Sequence, residues 1–202
     1  MHIPAYMRST SPVPVAIGAT ICALTFSFVL FPLISGPLAA HVDPDRFAEL
    51  GENLAGGKGF VYGSDGTYVT AFDRAPVYPL LLMILSWLIG AHLIPGVQVM
   101  QAVFHGLTGI VLFRIGLEMM EHRTARLAQI VHAVHPVMLW YTARIWMETT
   151  STLLVMLVIL MFLRVQKQGS IRQIVTAGSA LALAALTKSV VLLLPFLLVV
   201  YA

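Results

Sequence analysis

Apolar runs of membrane length, punctuated by short cationic clusters, dominate this chain. The first run, Val15 to Leu33, predicts a helix from about Val13 to Ser35 that ends near SGP. A polar stretch over residues 36–75 holds most of the acidic residues. After it come PVYPLLLMILSWLIG, a break at AHLIPG, and VQVMQAVFHGLTGIVLF. The cationic RIGLEMMEHRTAR then leads into LAQIVHAVHPVMLWY, the polar spot TARIWMETT and STLLVMLVILMFL. A second cationic cluster, RVQKQGSIR, precedes QIVTAGSALALAALTKSVVLLLPFLLVVYA. One bilayer crossing takes about 20 mostly apolar residues, which leaves room for roughly five or six crossings. The expected fold is an all-α, polytopic transmembrane helical bundle forming a single module over residues 1–202.

Composition sharpens this picture. Only 10% of the 202 residues are charged and mean hydropathy is +0.87, whereas a soluble domain carries about a quarter charged residues. From Ala75 to Phe113 there is no Asp, Glu, Lys or Arg. The net charge of +3 is scattered in clusters, so no basic face for nucleic acid is present. Cys22 is the sole cysteine, which excludes a disulfide framework and a thiolate metal site. Arg8, the first apolar run and GPLAA imitate a secretory signal, but that run exceeds the 7–15 residues of a signal core. It reads as a retained first membrane helix.

Charge also sets the expected sidedness. Arg114, Arg123 and Arg126 form one cluster and Arg164, Lys167 and Arg172 another. Two spans fit between them, so both are expected on the cytoplasmic side. Arg144 and Glu148 then face outward. Lys188 lies 16 residues beyond Arg172, about 24 Å of helix, and approaches the same outer interface. With Arg8 inside, the loop 36–75 is the first outer loop and residues 76–94 cannot complete a crossing. A re-entrant or interfacial helix is expected there; a full crossing, with a later span misassigned, is the alternative.

The outer loop contains the chain's candidate chemistry. Phe47, Leu50 and Leu54 fall on one helical face, with Asp45, Arg46, Glu49 and Glu52 elsewhere. This predicts a short amphipathic helix in the interface plane. Asp43 before Pro44 reads as its N-cap with proline at the first helical position. A carboxylate fixed at a helix N-terminus is also what a general base requires. Asp45, Glu49 and Glu52 read as solvated surface charges. GGKGF lacks the spacing and trailing Ser/Thr of a phosphate loop and reads as a flexible connector.

Further along, Arg144 and Glu148 are four apart and predict an intrahelical ion pair. Lys188 sits in an apolar run, where a cation must snorkel or find a partner. His132 and His135 lie three apart in apolar surroundings, a spacing open to metal binding, proton relay or simple packing.

DPDRFAELGENLAGGKGF, RAPVYPLLL, HPVMLWYTARIWMETTSTLL and ALTKSVVLLLPF occur in the order of landmarks in ArnT-like membrane glycosyltransferases. The chain resembles these GT-C enzymes, relatives of the dolichyl-phosphate-mannose protein mannosyltransferases, from about residue 15 onward. The resemblance implies that Asp43 holds the place of an acidic residue acting on the acceptor or assisting a divalent metal. The second acid often found next to it is replaced by Pro44, and Phe47 stands where tyrosine is usual. Arg74 matches a basic residue near the lipid phosphate. Glu148 matches an acidic residue opening a later helix, and Lys188 a basic residue at a helix end. Enzymes of this family are longer, so the chain is expected to be an N-terminal portion. The implied setting is a bacterial inner membrane, with the site on the periplasmic side.

The implied chemistry is transfer from a polyprenyl-phosphate sugar donor to a lipid, glycan or protein acceptor. A phosphate leaving group is a weak base, so cationic stabilisation by Arg74 and Lys188 matters more than a strong acid. Asp43 would take the acceptor's proton, and single displacement would invert the anomeric centre. Two other readings stay open. Intramembrane histidines and the break at AHLIPG suit a transporter fragment, and the chain could also serve as a non-catalytic membrane subunit.

Overall fold

The computed structural model describes residues 11–35, 43–63 and 66–201. The tail with Arg8 and the GPLAA stretch lie outside the described residues. Helix α1 is Val13–Ser35, as the apolar run predicts, with one π-helical turn over Phe26–Leu30. The polar segment after α1 then forms α2 (Phe47–Ala55) and a two-stranded antiparallel hairpin, β1 (Val61–Tyr62) on β2 (Val69–Thr70). GGKGF, the expected connector, joins α2 to this hairpin in turns and irregular backbone. Asn53 ties the hairpin to α2, its amide donating to the carbonyls of Val61 (2.9 Å) and Gly63 (3.2 Å).

Helix α3 (Val77–Ile89) covers 13 residues, about 20 Å at 1.5 Å per residue. That falls short of a hydrocarbon core of about 30 Å. A 3₁₀ turn, Gly90–His92, joins it to α4 (Leu93–Met119). The apolar face of α2 is covered by α3, not by lipid: Phe47 and Leu50 are fully buried with Tyr78 and Leu82. Gly51 permits this approach, because a Cβ there would sit 2.6 Å from the Leu82 Cβ. The Trp87 indole also donates to the Ala55 carbonyl at 3.0 Å.

The rest is an antiparallel bundle. Helix α4 spans 27 residues, about 40 Å. Helices α5 (His122–Ala133) and α6 (Pro136–Ala143) return beside it, broken at Val134–His135. Proline forces that break, since it lacks an N–H and drives the preceding residue out of the helical region; His135 has ψ 119°. Helix α7 (Glu148–Gln168) ends at Gly169, left-handed at φ 59°. A Ser170–Gln173 capping box then starts α8 (Ile171–Thr187). Lys188 breaks that last run: its backbone turns extended, a 3₁₀ turn follows over Ser189–Leu193, and α9 is Leu194–Tyr201.

Contacts fix the two ends of the bundle. At one end Gln129 of α5 reaches the Pro12 carbonyl (2.9 Å), while Lys167 and Arg164 of α7 pair with Glu118 of α4. This is the basic end. At the other, Phe31 of α1 packs edge-on against Trp140 of α6, in the cluster that holds Phe47 and Tyr78. Within the bundle α1 and α4 touch closely at Gly106, where a Cβ would meet the Thr20 hydroxyl and the Ala16 carbonyl, the small-residue contact typical of membrane helices. Large apolar side chains such as Ile17, Leu107, Val131 and Leu183 point outward, which is the lipid-facing surface of a multi-pass integral membrane protein.

Candidate active site

Asp43 is positioned by a tight turn. The Arg46 amide donates to the Asp43 carbonyl at 3.3 Å, and Arg46 is left-handed at φ 59°. A helix cannot run through that conformation, so α2 begins at Phe47 and Pro44 remains in the turn. This corrects the expectation of Asp43 as N-cap with Pro44 in the first helical position. Its carboxylate still caps the helix from outside: Oδ1 accepts from the Phe47 amide and Oδ2 from the Ala48 amide, each at 2.8 Å. Burial raises the Asp43 pKa above its usual 3.8, and the two amides only partly offset this. The outcome is a fixed carboxylate that is a stronger base than an ordinary Asp.

Arg74 lies close by. Its Nη2 is 3.3 Å from Asp45, its Nε 3.2 Å from Asp73 and 3.0 Å from the Tyr62 hydroxyl, and its guanidinium lies 5.2 Å over the Phe47 ring. Asp45 is therefore an ion-pair partner, not the solvated charge expected. Glu49 also departs from expectation: it pairs with Arg46 and accepts from the Gly63 amide at 2.7 Å. The Arg46 hydrogen bonds hold its pKa below the usual value. Glu52 is exposed, in line with a solvated role.

Phe47 links these residues to the bundle. Its ring meets Tyr78 edge-on at 5.1 Å. The fully buried Tyr78 donates to Gln101 Oε1 at 3.4 Å. Neither Tyr78 nor Gln101 stood out in the sequence, although two glutamines three apart in VQVMQ, inside an apolar run, were a signal that membrane physics makes informative.

Glu148 is the first residue of α7 and Lys188 follows the last of α8; Nζ is 3.1 Å from Oε1. Lys188 thus finds its partner 40 residues away. The predicted Arg144–Glu148 helical pair is corrected, because the chain leaves helix between α6 and α7 and the two residues share no helix. Arg144 instead stacks 4.1 Å over Trp146 and 5.7 Å over Trp140. Between the Arg74 loop and the end of α8 lies a cleft of about 330 Å³, walled by Phe72, Pro76, Leu186 and Leu192, with Arg74 and Ser189 among its lining residues. Asp43, Arg74, Glu148 and Lys188 accordingly gather at one end of the bundle, opposite Lys167 and Arg164.

The histidines go elsewhere. His132 packs on His105, centroid to centroid 4.4 Å, and the two rings bond each other's backbone neighbourhoods: His132 Nε2 lies 3.2 Å from the His105 carbonyl and His105 Nε2 3.2 Å from that of Ala133. His135 sits beyond the helix break. Among the described residues, no three His, Cys, Asp or Glu side chains gather into a metal-binding set. With Pro44 in place of a second acid beside Asp43, these residues do not fit a protein-held divalent metal.

A bundle of long apolar helices with paired carboxylates and cations at one end, the rim, defines the class: a multi-pass integral membrane protein. Residues 73–202, more than half of the chain, match the family described as dolichyl-phosphate-mannose-protein mannosyltransferase. The chain belongs to that family and is a membrane glycosyltransferase of GT-C type. The match contains Arg74, Glu148 and Lys188, whereas Asp43 lies upstream of it. No curated protein and no solved structure matches the chain.

Proposed function

We propose that the rim transfers a sugar from a polyprenyl-phosphate donor to an acceptor hydroxyl on the extracytoplasmic face of the membrane, in bacteria the periplasmic face of the inner membrane. The observation that carries this reading is the apolar-walled cleft with Arg74 and Ser189 in its lining, next in sequence to Lys188; Asp43 belongs to the same end of the bundle through Phe47, whose ring lies under Arg74. The lipid's first isoprene units fit against Leu186, Leu192 and Phe72, and its phosphate lies toward Arg74 and Lys188. Both cations are already paired with carboxylates, so the phosphate exchanges partners with Asp45 and Glu148 as it binds. That keeps the empty site close to neutral and limits the cost of cations at the bilayer edge.

In the transfer step the acceptor oxygen attacks the anomeric carbon as the carbon–oxygen bond to phosphate breaks, inverting the centre. The acceptor's proton passes to Asp43, whose raised pKa suits a general base. The electron pair leaves on the phosphate, where Arg74 and Lys188 stabilise it. Glu148, once displaced from Lys188, is placed to orient the acceptor. The test is sugar transfer in proteoliposomes supplied with a polyprenyl-phosphate sugar. Asp43→Asn abolishes transfer while the protein inserts normally; normal turnover by this variant rejects the reading.

A further inference from the structure

We infer that Gln101 is a positioning residue that sets the spacing between the two halves of the rim. This deepens the proposed transferase reading and rests on it for its activity arm alone. Gln98 and Gln101 lie three apart on α4, one turn below the rim, and both are buried. Gln98 Nε2 donates to the Ala143 carbonyl at 2.8 Å. Gln101 Nε2 donates to the carbonyls of Arg144, at 2.6 Å, and Thr142, at 3.4 Å. These three consecutive carbonyls belong to the end of α6, where a helix has acceptors without intrahelical donors. Inside a bilayer such groups need partners from the protein. The two glutamines supply them.

Gln101 differs from Gln98 in one respect. Its Oε1 accepts from Tyr78, whose ring packs on Phe47, and the Phe47 amide holds Asp43. One amide side chain therefore touches both structures: through its nitrogen the loop that leads to Glu148, the partner of Lys188, through its oxygen the helix pair that follows Asp43 and Arg74. An amide can donate and accept at once, which neither a leucine nor a carboxylate reproduces. An error of about 1 Å in such a spacing costs on the order of 100-fold in rate.

The test uses the full chain in proteoliposomes with Cys22→Ser, Glu52→Cys and Val190→Cys, spin-labelled to report the distance between α2 and the 3₁₀ turn after Lys188. Gln101→Leu and Tyr78→Phe are expected to at least double the width of the distance distribution. Gln98→Leu removes an equally buried bond to the same loop and is expected to leave that width unchanged. In the transfer assay, Gln101→Leu lowers kcat at least tenfold, more than it raises the donor KM. An unchanged distribution in Tyr78→Phe, which deletes a single hydroxyl and cannot be blamed on misfolding, overturns the inference; so does equal broadening in Gln98→Leu. If the parent chain transfers no sugar, the transferase reading fails and the distance measurements still decide the role of Gln101.

Discussion

Asp43 is held by amides four and five residues further along the chain, whereas Glu148 is held by Lys188 across 40 residues. The first half of the rim is local. Its turn, its left-handed Arg46 and its short helix α2 follow from neighbours in sequence, and tertiary contact adds Tyr78 beneath Phe47 and Leu82 beneath Gly51. The second half has no local frame: two helix ends meet only because α7 and α8 pack antiparallel. Local structure fixes where the Asp43 carboxylate points, and bundle packing decides what it faces. The halves should therefore fail differently when perturbed.

Asp43→Asn has the largest expected effect. A general base contributes 10²–10⁴-fold, so transfer should fall at least 100-fold, while the asparagine oxygen keeps one of the two amide bonds that cap α2. Survival of the rate in a radiolabelled-sugar assay would make the local half purely structural. The pH dependence sharpens this. Asp43 must be ionised to work and its pKa lies above 3.8, so activity is lost as pH falls through that raised value. Stability runs the other way: the folded state favours the protonated form, and this contribution is complete below pH 3.8 and is lost as pH rises through the folded pKa.

Breaking the long-range half comes next. Lys188→Met removes phosphate stabilisation and leaves Glu148, 23% exposed, without its cation. A drop of roughly 10–100-fold in kcat is expected, in the range of one lost electrostatic contact. Pairing it with Glu148→Gln in a double-mutant cycle on thermal stability should give a coupling of about 0.5–1 kcal/mol. Strict additivity would show that the pair contributes nothing to joining α7 and α8.

Gly51→Ala probes the frame of the local half. A Cβ at 2.6 Å from Leu82 forces α2 away from α3, costing about 1–3 kcal/mol. The melting temperature in detergent should drop, and the donor KM should rise with it. The smallest effect is the most specific: Asp45→Asn releases Arg74 from a competitor and should lower the donor KM by roughly two- to fivefold, the scale of an exposed ion pair. A higher KM would mean that Asp45 orients Arg74 instead of competing for it.

Sequence and structure divide the molecule along the same line. Membrane class, helical fold, the bounds of α1, the amphipathic face of α2 and the short α3 follow from hydropathy and residue size, because bilayer thickness and helix pitch act on consecutive residues. Asp43 was legible for that reason, and Lys188 because a lone cation in an apolar run needs a partner. Which partner was not legible: the four-residue spacing pointed to Arg144, but the break between α6 and α7 gave Glu148 to Lys188. Asp45 and Glu49 looked solvated until the hairpin and Arg74 arrived beside them, and His132 turned to His105 instead of His135. Pairings of this kind depend on which helix faces meet, and helix-to-helix packing in lipid is decided by small residues and buried amides such as Gly106 and Gln101, whose meaning appears only when the opposing surface is known.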